Sequence, residues 1–318
     1  MKRLQLRQEF AHISYISITI LSLIVIFFLL HQSHTIVTSA EAENGGYIPC
    51  KCAIFRLDDV NDGNNGVVRS AILGHFINEN KKLIAAIIVN DFGNLESDGT
   101  VYAKVKEGYE KGLFELAIHG WNHIRYSELT EQQQKKDFIS ANNKLLSLFG
   151  NRSNIFIPPF NAFSSDTIKA MAESRLDILS TSYFEEGKTS NLYKLPNLLD
   201  TNNSKIQLSR IQVNDSDSMR ILNKTIYHVP YDIALLGLIQ DGYSGENLTQ
   251  KVLSDVNKNI ARYGFSVITL HPSDFATFKG NIIDTNKFQI LVDIIDSLDT
   301  AGISNANFRD VTGHGIQN

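Results

Sequence analysis

The sequence has almost no cysteine. Cys50 and Cys52, in the order Cys-Lys-Cys, are the only two in 318 residues, which excludes a disulfide framework as the basis of the fold. A bridge across a single residue is geometrically tight, and a Cys-x-Cys metal site would need two further ligands nearby. The pair therefore reads as two thiols. Positive charge is not in excess either. Thirty Lys and Arg stand against 34 Asp and Glu, a net charge of -4, whereas a nucleic-acid binder would show a basic patch or a high pI. No internal repeat is present.

What is there describes an ordinary globular chain, 43% hydrophobic and 20% charged. Setting the N-terminal segment aside leaves about 270 residues, enough for one large domain or two small ones. Lys2, Arg3 and Arg7 precede an uncharged apolar run of 18 residues from Ile13 to Leu30. That length is nearer to a membrane span of about 20 residues than to a signal-peptide core of about 7–15. The expectation is a transmembrane helix or signal anchor within residues 1–32. Its basic flank would stay cytoplasmic, with a polar linker over 33–49 and an extracellular domain over 50–318. Thr38-Ser-Ala40 resembles a cleavage site and leaves secretion open. Five Asn-x-Ser/Thr sequons, beginning at Asn151, Asn202, Asn214, Asn223 and Asn247, are compatible with export.

Within the domain, strand and helix patterns alternate. Apolar strands are expected at 53–57, 83–89, 114–118, 155–157, 177–180, 225–229 and 265–270, with a last one near 303–308. Helices are expected at 67–82, 99–112, 130–149, 165–175, 248–263 and 286–298. Thr130-Glu-Gln-Gln133 reads as a capping box that opens the third of them. Residues 185–222 read as loops with one strand at most. This alternation implies an α/β fold of parallel strands joined by helices, in an open sheet or a barrel. In such folds the site lies at the carboxyl ends of the strands.

Polar or special residues gather at those ends. Asp58-Asp59, His119, Pro158-Pro159-Phe160 and His271 each stand just past an expected strand. His119 and His123 are four apart, so one helix-like turn would bring both imidazoles to the same side. With Asp59 they make two nitrogens and a carboxylate, a set suited to zinc, cobalt, iron or manganese. Three protein ligands leave a position for water, which marks a catalytic site. Asp58 is placed to act as general base and His271 as general acid. Taken singly, each feature also has a structural explanation, such as a turn or a satisfied core histidine. Trp121, the only tryptophan, fits a sugar-stacking surface and a core cover equally well.

The set resembles the polysaccharide deacetylases of the NodB-homology type, carbohydrate esterase family 4. Arg56-Leu-Asp58-Asp59-Val60 resembles the first family motif, Thr-Phe-Asp-Asp-Gly, in which the first Asp is the base and the second binds the metal. His119-Gly-Trp-Asn-His123 resembles the second motif, His-(Ser/Thr)-x-x-His. Ile157-Pro158-Pro159-Phe160-Asn161 resembles the third, Arg-x-Pro-(Tyr/Phe)-Gly, whose aromatic residue offers its backbone N–H to the oxyanion. Leu270-His271 resembles the last, which carries the general acid. The chain departs from the pattern at Ile157, where the family has an arginine that orients the base. It also departs at Val60, Gly120 and Asn161.

The resemblance implies a deformed parallel (β/α) barrel of about seven strands. It implies a divalent metal, Zn2+ first, on Asp59, His119 and His123, with Asp58, His271 and Phe160 as the catalytic groups. It implies hydrolysis of N-acetyl groups on a polysaccharide or oligosaccharide. The alternatives are hydrolysis of a small C–N or ester substrate, and a catalytically silent carbohydrate-binding ectodomain. A membrane partner through the N-terminal helix is expected; a nucleic acid is not.

Overall fold

The computed structural model describes residues 50–63, 66–94, 100–182, 209–213, 224–277 and 282–313. In chain order the elements are β1 (Cys52–Val60), α1 (Gly66–Asn78), β2 (Leu83–Ile87), α2 (Thr100–Glu110), β3 (Phe114–Ile118), α3 (Glu131–Phe149), β4 (Ile155–Phe156), α4 (Ser165–Glu173) and β5 (Ile178–Leu179). There follow β6 (Ser209–Val213), β7 (Lys224–His228), β8 (Ile233–Ala234), α5 (Leu235–Gln240), α6 (Gly245–Tyr263), β9 (Phe265–Leu270), α7 (Thr285–Thr300), β10 (Ser304–Asn305) and α8 (Phe308–Thr312).

The strands form one sheet in the order β6-β7-β5-β4-β3-β2-β1-β9-β8, with β10 added beside β1. Among the pairings between these strands only β6 with β7 is antiparallel. The parallel strands are buried along almost their whole length, as a sheet covered on both faces requires. Alternate residues divide into two clusters. Phe55, Leu57, Leu83, Ala85, Ile87, Leu116 and Ile118 face the helices. Ile54, Ile84, Ala86, Ala117, Ile155, Ile157, Ile178, Val229 and Val267 meet on the other side. Side chains from so many strands meet in one cluster because the sheet curls round it.

That sheet corrects the expected fold. It is a curled half-barrel and not a closed barrel, because β6 and β8 remain its two ends among the described residues. The expected N-terminal transmembrane helix, and the membrane-anchored location and membrane partner that followed from it, are withdrawn. No described helix is long and apolar enough to cross a membrane, and the run Ile13–Leu30 lies outside the described residues. Cys50 and Cys52, expected as thiols, are joined to each other in a disulfide.

Local signals performed well elsewhere. The Thr130 capping box forms with Gln133, and Gly150 ends α3 in the left-handed conformation. Gly264 closes α6 the same way. The short β8, α5 and α8 had not been expected, since two to six residues carry too little periodicity to read. Of the sequons, Asn151 donates to the Tyr109 hydroxyl at 2.8 Å and Asn247 is exposed on α6. Asn202, Asn214 and Asn223 lie outside the described residues.

Candidate metal centre and active site

β1 delivers two consecutive aspartates to one place, which a regular strand cannot do. Successive side chains alternate between faces. Arg56 and Asp58 share the inner face, so Asp59 belongs on the other. The register with β2 solves this. Leu57 pairs with Ala85 and Val60 with Ile87, three steps of β1 against two of β2. The extra residue is a β-bulge, a feature that re-aims side chains beside active sites. Asp59 takes φ 60 within it, and Arg69 on α1 donates from Nε to the Asp59 carbonyl at 2.7 Å.

The histidine loop follows β3. It is not the helical turn expected; bends and a tight backbone path bring the imidazoles together instead. Gly120 makes this possible, with φ 84 and a position where a Cβ would come within 2.6 Å of the Asn122 carbonyl oxygen. A serine or threonine, as in the family motif, would be strained in this path. The Trp121 N–H then donates to the buried Tyr126 hydroxyl at 2.9 Å. Trp121 itself is half-buried against the helix-facing core.

The three expected metal ligands converge. Asp59 Oδ1 lies 3.4 Å from His119 Nε2 and 3.1 Å from His123 Nε2, and one ligand atom from each residue lies within 4.8 Å of the others. His119 Nδ1 stands 2.8 Å from the Ile157 carbonyl oxygen. A carbonyl only accepts, so Nδ1 must carry the proton and Nε2 turns its lone pair inward. That is the arrangement in which histidines ligate metals. Burial alone would raise the Asp59 pKa. The neighbouring imidazoles of His119 and His123 outweigh it and hold the carboxyl well below the usual range. The donor set and its orientation fit a divalent cation.

Asp58 and His271 lie beside this cluster, with His271 Nε2 4.0 Å from Asp58 Oδ2. Asp58 is buried, and burial pushes its pKa up. The Arg56 charge, with His119 and His271, more than reverses that, so the group stays ionised. His271 ends β9. Its N–H donates to Asp274 Oδ2 at 2.8 Å, and burial pushes Asp274 up to about 6. Phe160 is 55% exposed and its ring lies 4.5 Å from that of His123. Its backbone is left-handed, φ 58 and ψ 17, as is that of Asn161 at φ 54. Hydrogen bonds of this turn run from Asn161 N–H to Pro158 and from Ala162 N–H to Pro159; the Phe160 N–H is not among them.

Sequence reasoning missed the groups that hold these side chains. Arg56 grips Asp58 with both arms of its fork, Nε–Oδ1 2.8 Å and Nη2–Oδ2 2.6 Å. An i, i+2 pair on one face of a strand was the signal that could have found it. Arg69, Tyr126 and Asp274 left no comparable trace.

A family model described as polysaccharide deacetylase matches residues 72–179. That stretch holds His119, His123 and Phe160 and leaves out Asp58, Asp59 and His271. Among solved structures, a probable polysaccharide deacetylase from Pseudomonas aeruginosa PAO1 superimposes with TM-score 0.57 at 14% identity, covering 84% of this chain and 91% of that one. A Mycobacterium smegmatis protein, also given the provisional description of polysaccharide deacetylase, does so with TM-score 0.55 at 14% identity, covering 87% and 92%. BA3943 of Bacillus anthracis, a carbohydrate esterase family 4 pseudoenzyme, reaches 0.48 at 10% identity, covering 82% of this chain and 65% of its own length. No curated protein matches. The fold is thus that of the polysaccharide deacetylases. Residues 72–179 resemble that family in sequence, and the likeness of fold extends over 84–87% of the chain. Its Asp-His-His cluster on that fold supports deacetylase-type hydrolysis.

Proposed function

We propose that residues 50–318 form a metal-dependent hydrolase that removes N-acetyl groups from a polysaccharide or oligosaccharide. Asp59, His119 and His123 would hold the metal, and zinc suits two imidazoles and a carboxylate. When bound, the metal supplies Lewis acidity, which acidifies a water and polarises the acyl carbonyl. Asp58, held ionised by Arg56, accepts the proton of the attacking water. The Phe160 N–H donates to the oxyanion that develops on the acyl carbonyl oxygen. His271 gives a proton to the departing amine, from a position 4.0 Å from the base and so within reach of the same reacting centre.

The observation that carries this reading is the convergence of the cluster with an ionised base and a histidine on one rim. A binding module needs neither acid nor base. The test is acetate release from N-acetylated oligosaccharides by the full chain supplied with zinc, cobalt or manganese, set beside small amides and acetyl esters. Turnover of the oligosaccharides, lost in Asp58→Asn while metal binding persists, is expected. Turnover confined to the small substrates would move the activity to them. Glycan binding without acetate release, with metal present, would make the chain a silent binding domain.

A further inference from the structure

The chain lacks the arginine that the resemblance expects at position 157, and the structure holds an arginine against the base all the same. Arg56 is 2% exposed. Beyond its two bonds to Asp58, its Nη1 reaches the Ser180 hydroxyl at 3.0 Å and the Ser180 carbonyl at 3.4 Å. Its guanidinium lies over the Tyr231 ring, 4.7 Å from the centroid. The Tyr231 hydroxyl in turn accepts from Asn161 Nδ2 at 3.0 Å, and Asn161 Oδ1 accepts from the Ser182 N–H at 3.1 Å. Asp58 is therefore held by a fork whose plane is set on one side by a hydroxyl and on another by an aromatic face. The same ring is tied to the residue that follows Phe160.

We propose that Arg56 is the positioning residue for Asp58, doing from within β1 what an arginine at position 157 would otherwise do. Both positions face the inside of the curl. Ile157 lies in the inner cluster with Ile54, against which Tyr231 also packs, and Arg56 is two residues beyond Ile54 on the same face. Arg56 reaches the base from inside the curl, and a guanidinium rooted at position 157 would start from the same inner cluster. Stability gives little reason to keep such a pair, since a buried ion pair is often matched or bettered by apolar groups of the same volume. Orientation gives a strong one, because a fork fixes both carboxylate oxygens at once, which an ammonium cannot do.

The inference rests on Asp58 acting as the base, and the experiment separates the two. The full chain is compared with Arg56→Thr, with Arg56→Lys, and with Arg56→Thr/Ile157→Arg, which restores the family residue at both positions. Arg56→Thr should lower kcat for acetate release by about 100-fold, the scale of a roughly 1 Å misplacement, while KM and metal affinity change by less than about 3-fold. Arg56→Lys should stay low, and the double variant should recover at least about tenfold. An Arg56→Thr protein within about 3-fold of the parent would overturn the inference. So would a loss that follows metal affinity and melting temperature down and that Ile157→Arg does not reverse. If the parent releases no acetate from any substrate, the deacetylase reading falls by itself. Crystal structures of the metal-loaded proteins then decide the positioning. An Asp58 carboxylate displaced by about 1 Å in Arg56→Thr and returned in the double variant supports it, and one that never moves overturns it.

Discussion

The Nε–H of Arg69 donates to the backbone carbonyl of Asp59 at 2.7 Å, and Asp59 is the residue of β1 with a positive φ. The bond thus ties α1 to the bulge that swings a metal-ligand candidate round to the histidines. Left-handed backbone at a non-glycine residue costs roughly 1–3 kcal/mol and persists only where neighbours enforce it.

Arg69→Met keeps the stem and removes the bond. Metal affinity should fall by about tenfold or more, the usual effect of losing a group that orients a ligand. Calorimetric titration reads this directly. Affinity equal to that of the parent would mean that the bulge holds Asp59 unaided.

Phe160 is assigned through its N–H and not through its ring. Phe160→Gly should therefore keep kcat within about tenfold while Asp58→Asn loses it, because the glycine retains the donor. Stability should move by less than about 1 kcal/mol, since relief of left-handed strain is set against the entropy a glycine loses on folding. A collapse of kcat equal to that of Asp58→Asn would shift the role to the side chain.

Glu115 on β3 accepts from the Phe308 N–H at 2.9 Å, and burial pushes its carboxyl up to about 7 despite Arg309 nearby. Between its ordinary value and about 7, the folded chain holds a proton that the unfolded chain has released. This group's contribution is therefore most favourable at low pH and is lost as pH rises, at up to about 1.4 kcal/mol per pH unit. Glu115→Gln keeps the acceptor and removes the titration. Its stability relative to the parent should rise by at most about 3 kcal/mol from pH 4.5 to pH 7 in denaturant melts. A difference that stays flat across that range would place the group among ordinary carboxylates.

Metal that binds only the folded chain stabilises it by about 2.7 kcal/mol at a hundred times its Kd. For a domain of this size that lifts the melting temperature by roughly 5–10 °C. Chelation should reverse the lift, and His119→Ala should melt at one temperature with or without zinc. A lift that survives in His119→Ala would locate the cation elsewhere.

The outline of the fold was legible in the sequence where its causes are local. A continuous apolar run marks β2, period-two alternation marks β3, and a short apolar stretch marks β9. Thr130 and Gly150 bound α3, and Gly264 ends α6. Residues past the strand ends named the three side chains of the cluster, with Asp58 and His271 beside them, because in a parallel sheet those ends share one rim. What was misread depends on partners far along the chain. Whether a curled sheet closes is set by the pairing of its last strands, and no pattern within β6 or β8 reports that. The helix-like turn assumed for His119 and His123 gave way to a loop bent at Gly120, since four-residue spacing does not by itself specify the path between.

The inventory was therefore the sequence's own doing: an aspartate pair, two histidines, a third histidine and an aromatic turn, each at the end of an apolar run. Side-chain alternation and capping are short-range effects, and they act through the nearest few residues. Only the tertiary structure decided that Asp58 and Asp59 face the same site, because that requires a register shift against β2. Only it decided that Arg56 would be locked by Ser180 and Tyr231, groups brought to it across the inside of the curl by helices packing on the outer face.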